Sequence, residues 1–232
     1  MDYAFYNSLG YFFIILAGII TIVAEYFVTS CYHQYKIVKC KKNMTGQEVA
    51  RLILDKYGLT DIYVTEVKGT LTDHYDPNRK VVRLSTDVFH GDSIASVSVA
   101  SHEVGHAIQH KEGYSFIKIR GAIFPFVSFA SKFGYLAIAI GFIFNFLDLA
   151  WAGVGLLLVI LLFQLVTLPV EFDASKRALK ELETEEILDS SEIQGSKQML
   201  KAAAMTYVAG LASTVLEILR YGLILIGRDD RN

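Results

Sequence analysis

Proline and tryptophan are scarce in this 232-residue chain, with three and one, and only two cysteines occur, Cys31 and Cys40. Neither cysteine belongs to a CxxC pair or sits at a metal-ligand spacing. They therefore frame no disulfide scaffold and no thiolate zinc cluster, and they are expected to be free thiols. The net charge of −2 provides no basic excess for nucleic acid. Internal repeats, low-complexity tracts and a glycine-rich phosphate loop are all missing. Charge itself is thin: 20% of residues are charged against 53% hydrophobic. That balance is too apolar for an ordinary soluble domain and fits several membrane spans joined to a polar portion.

The apolar residues are concentrated in runs. Residues 3–24 and 149–170 contain no carboxylate, imidazole, amine or guanidinium, and each is 22 residues long. Both exceed the ~20 residues that cross a bilayer core. Residues 133–147 form a third run, extended upstream to Gly121 if Lys132 snorkels, with Pro125 kinking or beginning that helix. A fourth covers residues 202–216 and 221–227, interrupted by Glu217 and Arg220, which lie on one helical face and could pair. A buried or interfacial helix fits this fourth run almost as well. The first run lacks a basic leader and is longer than the ~7–15-residue core of a signal peptide, so it is read as an anchor.

Lysines set the orientation. Lys36, Lys39, Lys41 and Lys42 follow the first run, and Lys176, Arg177, Lys180, Lys197 and Lys201 follow the third. The positive-inside rule puts both stretches in the cytoplasm. Within the first polar stretch, Thr45 and Glu48 spell a capping box opening a helix that ends at Gly58. Residues 61–67 alternate as a short strand, residues 76–80 form a turn around Pro77, and residues 81–84 read as a second strand. Residues 93–110 read as one long helix capped by Ser93.

That helix carries His102-Glu103-Val104-Gly105-His106, a match to H-E-x-x-H. Residues four apart share a helical face, so both imidazoles can address one ion, with Glu103 within reach of a water on that ion. With this histidine and glutamate content, chance writes the motif in roughly one such chain in a hundred. A catalytic zinc takes three protein ligands and keeps one position open. His110 is the nearest further histidine, but it lies ~12 Å of helical rise from His102. Gln109 also stands where the longer H-E-x-x-H-x-x-G-x-x-H pattern requires glycine. The better third ligand is Glu171, at the exit of the third run just after Pro169, where a new helix would begin. The topology puts it on the same side as the two histidines. Asp173 competes for that place, or else holds a histidine from behind the metal. His74, Tyr75 and Arg177 are candidate donors to a developing oxyanion. The strand at residues 81–84 could receive an extended peptide.

"VSVASHEVGHAIQH" together with "LFQLVTLPVEFDASKRAL" resembles the YugP-like family of membrane neutral zinc metallopeptidases, and "LTDHYDP" followed by "VVRLS" is similar to that family's pattern before the zinc helix. The likeness runs over essentially the whole chain. It implies a zinc-dependent endopeptidase with one zinc ion, His102, His106 and Glu171 as ligands, and Glu103 as acid/base. It also implies a distant likeness to the HtpX and CaaX-prenyl membrane proteases. Those enzymes carry an E-x-x-x-D spacing from which this chain departs, because Ser175 stands four residues past Glu171.

The expected fold is mainly α and integral to the membrane, with about four transmembrane helices and a small α+β, zincin-like cytoplasmic portion carrying the HExxH helix. Its segments are a first transmembrane helix at residues 3–28, a cytoplasmic catalytic segment at 33–118, and transmembrane helices at 121–147 and 149–170. A cytoplasmic helix at 171–200 then carries the third ligand, and a membrane-associated helix at 202–227 closes the chain. The expected activity is hydrolysis of peptide bonds in membrane-associated or unfolded polypeptides, in a bacterial or archaeal cell membrane with the active site facing the cytoplasm. Its partners would be a peptide or protein substrate and the lipid bilayer, without nucleic acid, and a homo-oligomer is compatible with it. The competing reading is a catalytically silent, zinc-containing membrane scaffold or chaperone-like binder, for which an intact Glu103 has no use. A transporter fits poorly, with few ionisable residues in the spans and no pair of broken helices.

Overall fold

A computed structural model describes residues 3–229. The elements are α1 (Tyr3–Lys36), α2 (Gly46–Lys56), β1 (Tyr63–Val67), β2 (His74–Asp76), β3 (Val81–Ser85), α3 (Thr86–Phe89), α4 (Ile94–Glu112), α5 (Ser115–Ile143), α6 (Leu147–Thr184) and α7 (Ile193–Asp229). They divide into two compact units. One collects the chain as far as Glu25, Ile119–Leu168 and the chain from Thr206 onward. The other collects Tyr26–Lys118 and Pro169–Met205.

The first unit is built from apolar helix. Among the described residues four helices contribute to it and are long and apolar enough to cross a membrane: Phe5–Lys36, Ser115–Ile143, Leu147–Thr184 and Ile193–Asp229. Inside this unit Ile138, Ala150, Val154, Leu157 and Leu225 form a small buried cluster. Phe12, Ile15, Phe124, Phe126, Leu158 and Leu162 are exposed, the inverse of a water-soluble bundle and the expected dress of helices solvated by lipid. The pairing of Glu217 with Arg220 anticipated from their spacing is not formed. Glu217 instead accepts a hydrogen bond from the Tyr135 hydroxyl, and the Arg220 guanidinium lies 4.9 Å from the Tyr221 ring centroid.

The second unit holds the polar chemistry. Thr45 and Glu48 form the capping box, with the Glu48 backbone N–H on Thr45 Oγ1 and the Thr45 backbone N–H on Glu48 Oε2. Tyr57 and Gly58, the latter at φ 63°, end that helix. The sheet order is β1-β3-β2, with β1 parallel and β2 antiparallel to β3. Asp76 closes the β2–β3 turn by accepting from the backbone N–H groups of Asn78 and Arg79. β3 is the central strand, so both its edges are occupied and it cannot receive a peptide by strand addition; the free edges belong to β1 and β2. The three-residue β2 escaped the sequence because so short a strand carries no periodicity. Val49, Ile53, Leu54, Val82, Leu84, Val97, Val104 and Ile108 bring α2, the sheet and α4 into one core, joined by Leu182 and Met199. Cys31 and Cys40 are free thiols buried in that core.

One helix boundary, at Pro169, differs from the sequence expectation, and of the two readings of Pro125 the one that begins a helix is excluded. Pro125 lies inside α5 and Pro169 inside α6, so neither begins a helix. Proline removes one backbone donor, and a long helix supported by its neighbours continues past that loss. The segment at residues 171–200 is therefore not one separate helix: its first part completes α6, and its last part begins α7 after a turn in which Glu186 adopts φ 51°.

Candidate metal centre

Sequence-local signals fix α4. Ser93 caps its start by accepting from the Ser96 N–H, and Gly113 ends it in the left-handed conformation at φ 67°, where a side chain would be strained. Between those caps His102 and His106 are one turn apart on one face. Their rings lie 4.8 Å apart between centroids, inclined at 84°.

Opposite them is Glu171 of α6, only 2% exposed. Its Oε2 lies 3.3 Å from His102 Nε2 and 3.6 Å from His106 Nε2. Ligand bonds of about 2.0–2.2 Å at tetrahedral angles place donor atoms about 3.3–3.6 Å apart, so this spacing and this N,N,O donor set fit a zinc ion. Among the described residues, these three are the one group of histidine, cysteine or carboxylate side chains whose ligating atoms converge in this way.

Each imidazole is also held from behind. His102 Nδ1 lies 3.2 Å from Ser175 Oγ, and His106 Nδ1 lies 3.0 Å from Gln109 Oε1. In both cases Nε2 faces Glu171. Burial alone would lower the His106 pKa, but Glu171, Glu103 and Gln109 outweigh it and hold that imidazole above its ordinary value. Glu103, 9% exposed, follows His102 directly in sequence, and its charge acts on His106.

A second carboxylate approaches from the sheet side. Asp73 accepts from the Ser85 backbone N–H at 2.7 Å and from Ser85 Oγ at 3.1 Å. Burial raises the Asp73 pKa, the Ser85 bonds oppose that, and the neighbouring Glu103 charge adds to the rise.

A family model described as "Putative neutral zinc metallopeptidase" matches residues 10–226. The chain belongs to that metallopeptidase family. A relative from Bacillus subtilis (strain 168), named "Putative membrane protease YugP", is 46% identical over 209 residues, covering 90% of this chain and 93% of its own length. No solved structure matches the chain.

In this member of the metallopeptidase family the remaining candidates are placed as follows. Asp173 lies behind the centre, accepting from Gln109 Nε2 at 2.9 Å and from Arg177 Nε at 2.5 Å. Arg177 is further engaged by Glu112 through Nη1 at 2.5 Å. His74 is exposed on β2, with Nδ1 2.8 Å from the Thr72 carbonyl. Tyr75 packs its ring edge-on against His110, 5.6 Å between centroids. Gln109, Ser175 and Asp73 are the polar residues that the motif search did not assign to the site. Gln109 and Ser175 had a signal: each stands at a position where a related pattern demands a different residue. Asp73 had none, since one aspartate ahead of a turn reads as turn chemistry.

Proposed function

We propose that the chain is a membrane-embedded zinc endopeptidase, with His102, His106 and Glu171 holding the ion and Glu103 acting as acid/base. The observation that carries this is the convergence of the two histidine Nε2 atoms on Glu171 Oε2 at tetrahedral ligand spacing. A zinc ion held by His102, His106 and Glu171 would supply a Lewis acid able to lower the pKa of water toward neutrality. Glu103 would accept a proton from the attacking water on its carboxylate and hand it to the leaving amine. Ser175, 3.2 Å from His102 Nδ1, would keep that imidazole turned toward the proposed site. Membrane-associated or unfolded polypeptides are the substrates this reading favours, because four helices are apolar enough to lie in a bilayer and hydrolysis needs an extended chain. The basic residues at 36–42 and 176–201 all belong to the unit that contains the site, and the positive-inside rule assigns that unit to the cytoplasm.

The silent-scaffold alternative has no use for Glu103, which stands beside the ligands. The test is metal analysis and peptide cleavage on the purified full-length protein and its His106→Ala and Glu171→Ala variants. The reading expects about one zinc per chain in the wild type and loss of both zinc and cleavage in the variants. Normal zinc affinity in Glu171→Ala would move the third ligand elsewhere.

A further inference from the structure

Gln109 is a polar side chain with no exposed surface, one turn past His106, and motif logic gives it no role. Its amide makes three hydrogen bonds. Nε2 donates to the Val170 carbonyl at 2.8 Å and to Asp173 Oδ2 at 2.9 Å, and Oε1 lies 3.0 Å from His106 Nδ1. The first two partners fix which way the amide points. A backbone carbonyl only accepts, and Asp173, held by Arg177 Nε, is an acceptor-only carboxylate. The NH2 end must therefore face α6, which leaves the oxygen end for His106. An oxygen there demands a proton on His106 Nδ1, and the lone pair of the neutral imidazole is then on Nε2, the atom facing Glu171.

The same side chain clasps α6 at Val170, one residue before Glu171, and at Asp173, two residues after it. We infer that Gln109 is a positioning residue for the metal centre, fixing the His106 tautomer and the placement of Glu171 with one buried amide. The inference rests on the metal-site reading above. It differs from a packing role in what it requires: an acceptor toward His106 and a donor toward α6, both in one residue.

That requirement can be separated from volume. Gln109→Met keeps length and burial but has neither function. Gln109→Glu keeps the acceptor and replaces the donor with negative oxygen facing the Val170 carbonyl and Asp173. Adding Asp173→Asn to Gln109→Glu restores a donor–acceptor pair across that contact, while adding it to Gln109→Met restores nothing.

Zinc affinity of the full-length protein in detergent, measured by competition with a chromophoric chelator, tests this without relying on activity. Gln109→Met and Gln109→Glu should each bind zinc about 10–100-fold more weakly. Asp173→Asn should recover part of the loss in the Gln109→Glu background, where the Val170 carbonyl still faces oxygen, and none in the Gln109→Met background. Should Gln109→Met fail to fold, the Gln109→Glu pair carries the comparison alone. Wild-type affinity in Gln109→Met, or no recovery in the Gln109→Glu, Asp173→Asn double variant, would overturn the inference. His106→Ala, measured alongside, should lose zinc; if it bound zinc normally, the metal-site reading itself would fall.

Discussion

A Cβ atom on Gly105 would lie 2.7 Å from the backbone carbonyl oxygen of Ala174. α4 and α6 are in backbone contact at that point, between His102 and His106 on one helix and three residues past Glu171 on the other. The obstacle is main chain, so no side-chain rotation relieves it. Gly105→Ala should therefore behave against propensity. In an open helix the change stabilises by about 0.5–1 kcal/mol; here overpacking of about 1–3 kcal/mol opposes it. The variant should show a lower Tm and zinc affinity reduced by about tenfold or more, since the proposed ligands are separated. Thermal unfolding and chelator competition check both.

Ser175 offers a second test of the ligand supports. Ser175→Ala removes the partner of His102 Nδ1 and should weaken zinc binding, at the lower end of a 10–100-fold range because a hydroxyl is a modest acceptor. Ser175→Asp provides a stronger, charge-assisted acceptor and should bind zinc at least as tightly as the wild type. Equal affinities across all three proteins would remove Ser175 from the account.

The centre should be sensitive to pH in a fixed direction. In the metal-free protein burial works against charge on His106, yet Glu171, Glu103 and Gln109 together raise its pKa. A raised histidine pKa contributes folding stability that is complete below the unfolded value of about 6.5 and is lost as pH rises through the folded value. Zinc needs the neutral ring, so the ion and the proton compete. Apparent zinc affinity should rise by about tenfold per pH unit below the folded pKa and level off above it. Zinc should stabilise the protein more at about pH 8 than at about pH 6. Calorimetric titration at several pH values checks the slope, and a flat profile contradicts it.

Away from the candidate centre, Glu181 of α6 joins α2 to the core. It is 2% exposed and accepts from Lys56 Nζ at 2.6 Å and from the Tyr57 hydroxyl at 2.7 Å. Burial first, and Glu181 second, push the Tyr57 pKa up to about 12. Glu181→Ala should cost about 1.5–3 kcal/mol of stability, the range for hydrogen bonds to a charged group. It should also bring the Tyr57 phenol only part of the way back toward 10, because burial persists. Denaturant titration and ultraviolet titration of the phenol measure the two effects.

Much of this was legible in residue order, and the parts that were not share a cause. The capping box at Thr45 and Glu48, the cap at Ser93 and the four apolar helices follow from local chemistry or long composition. His102, Glu103 and His106 are visible because their relationship is helical and spans four residues. Glu171 needed topology to bring it near them, and the structure places it 3.3 Å from His102 Nε2. The helix boundary expected at Pro169 does not form, because proline's local preference yields to the support of a long helix. Gln109, Asp73 and the contact of Gly105 with Ala174 depend on which helix or strand packs opposite. No local pattern records that.

The most direct measurement is the peptide-cleavage rate of Glu103→Gln at full zinc loading. The substitution keeps size and removes the proton acceptor, and Glu103 is not among the proposed ligands. The account predicts about one zinc per chain, as in the wild type, with cleavage reduced by about 10²–10⁴-fold. Full cleavage activity in a zinc-loaded Glu103→Gln protein would contradict it.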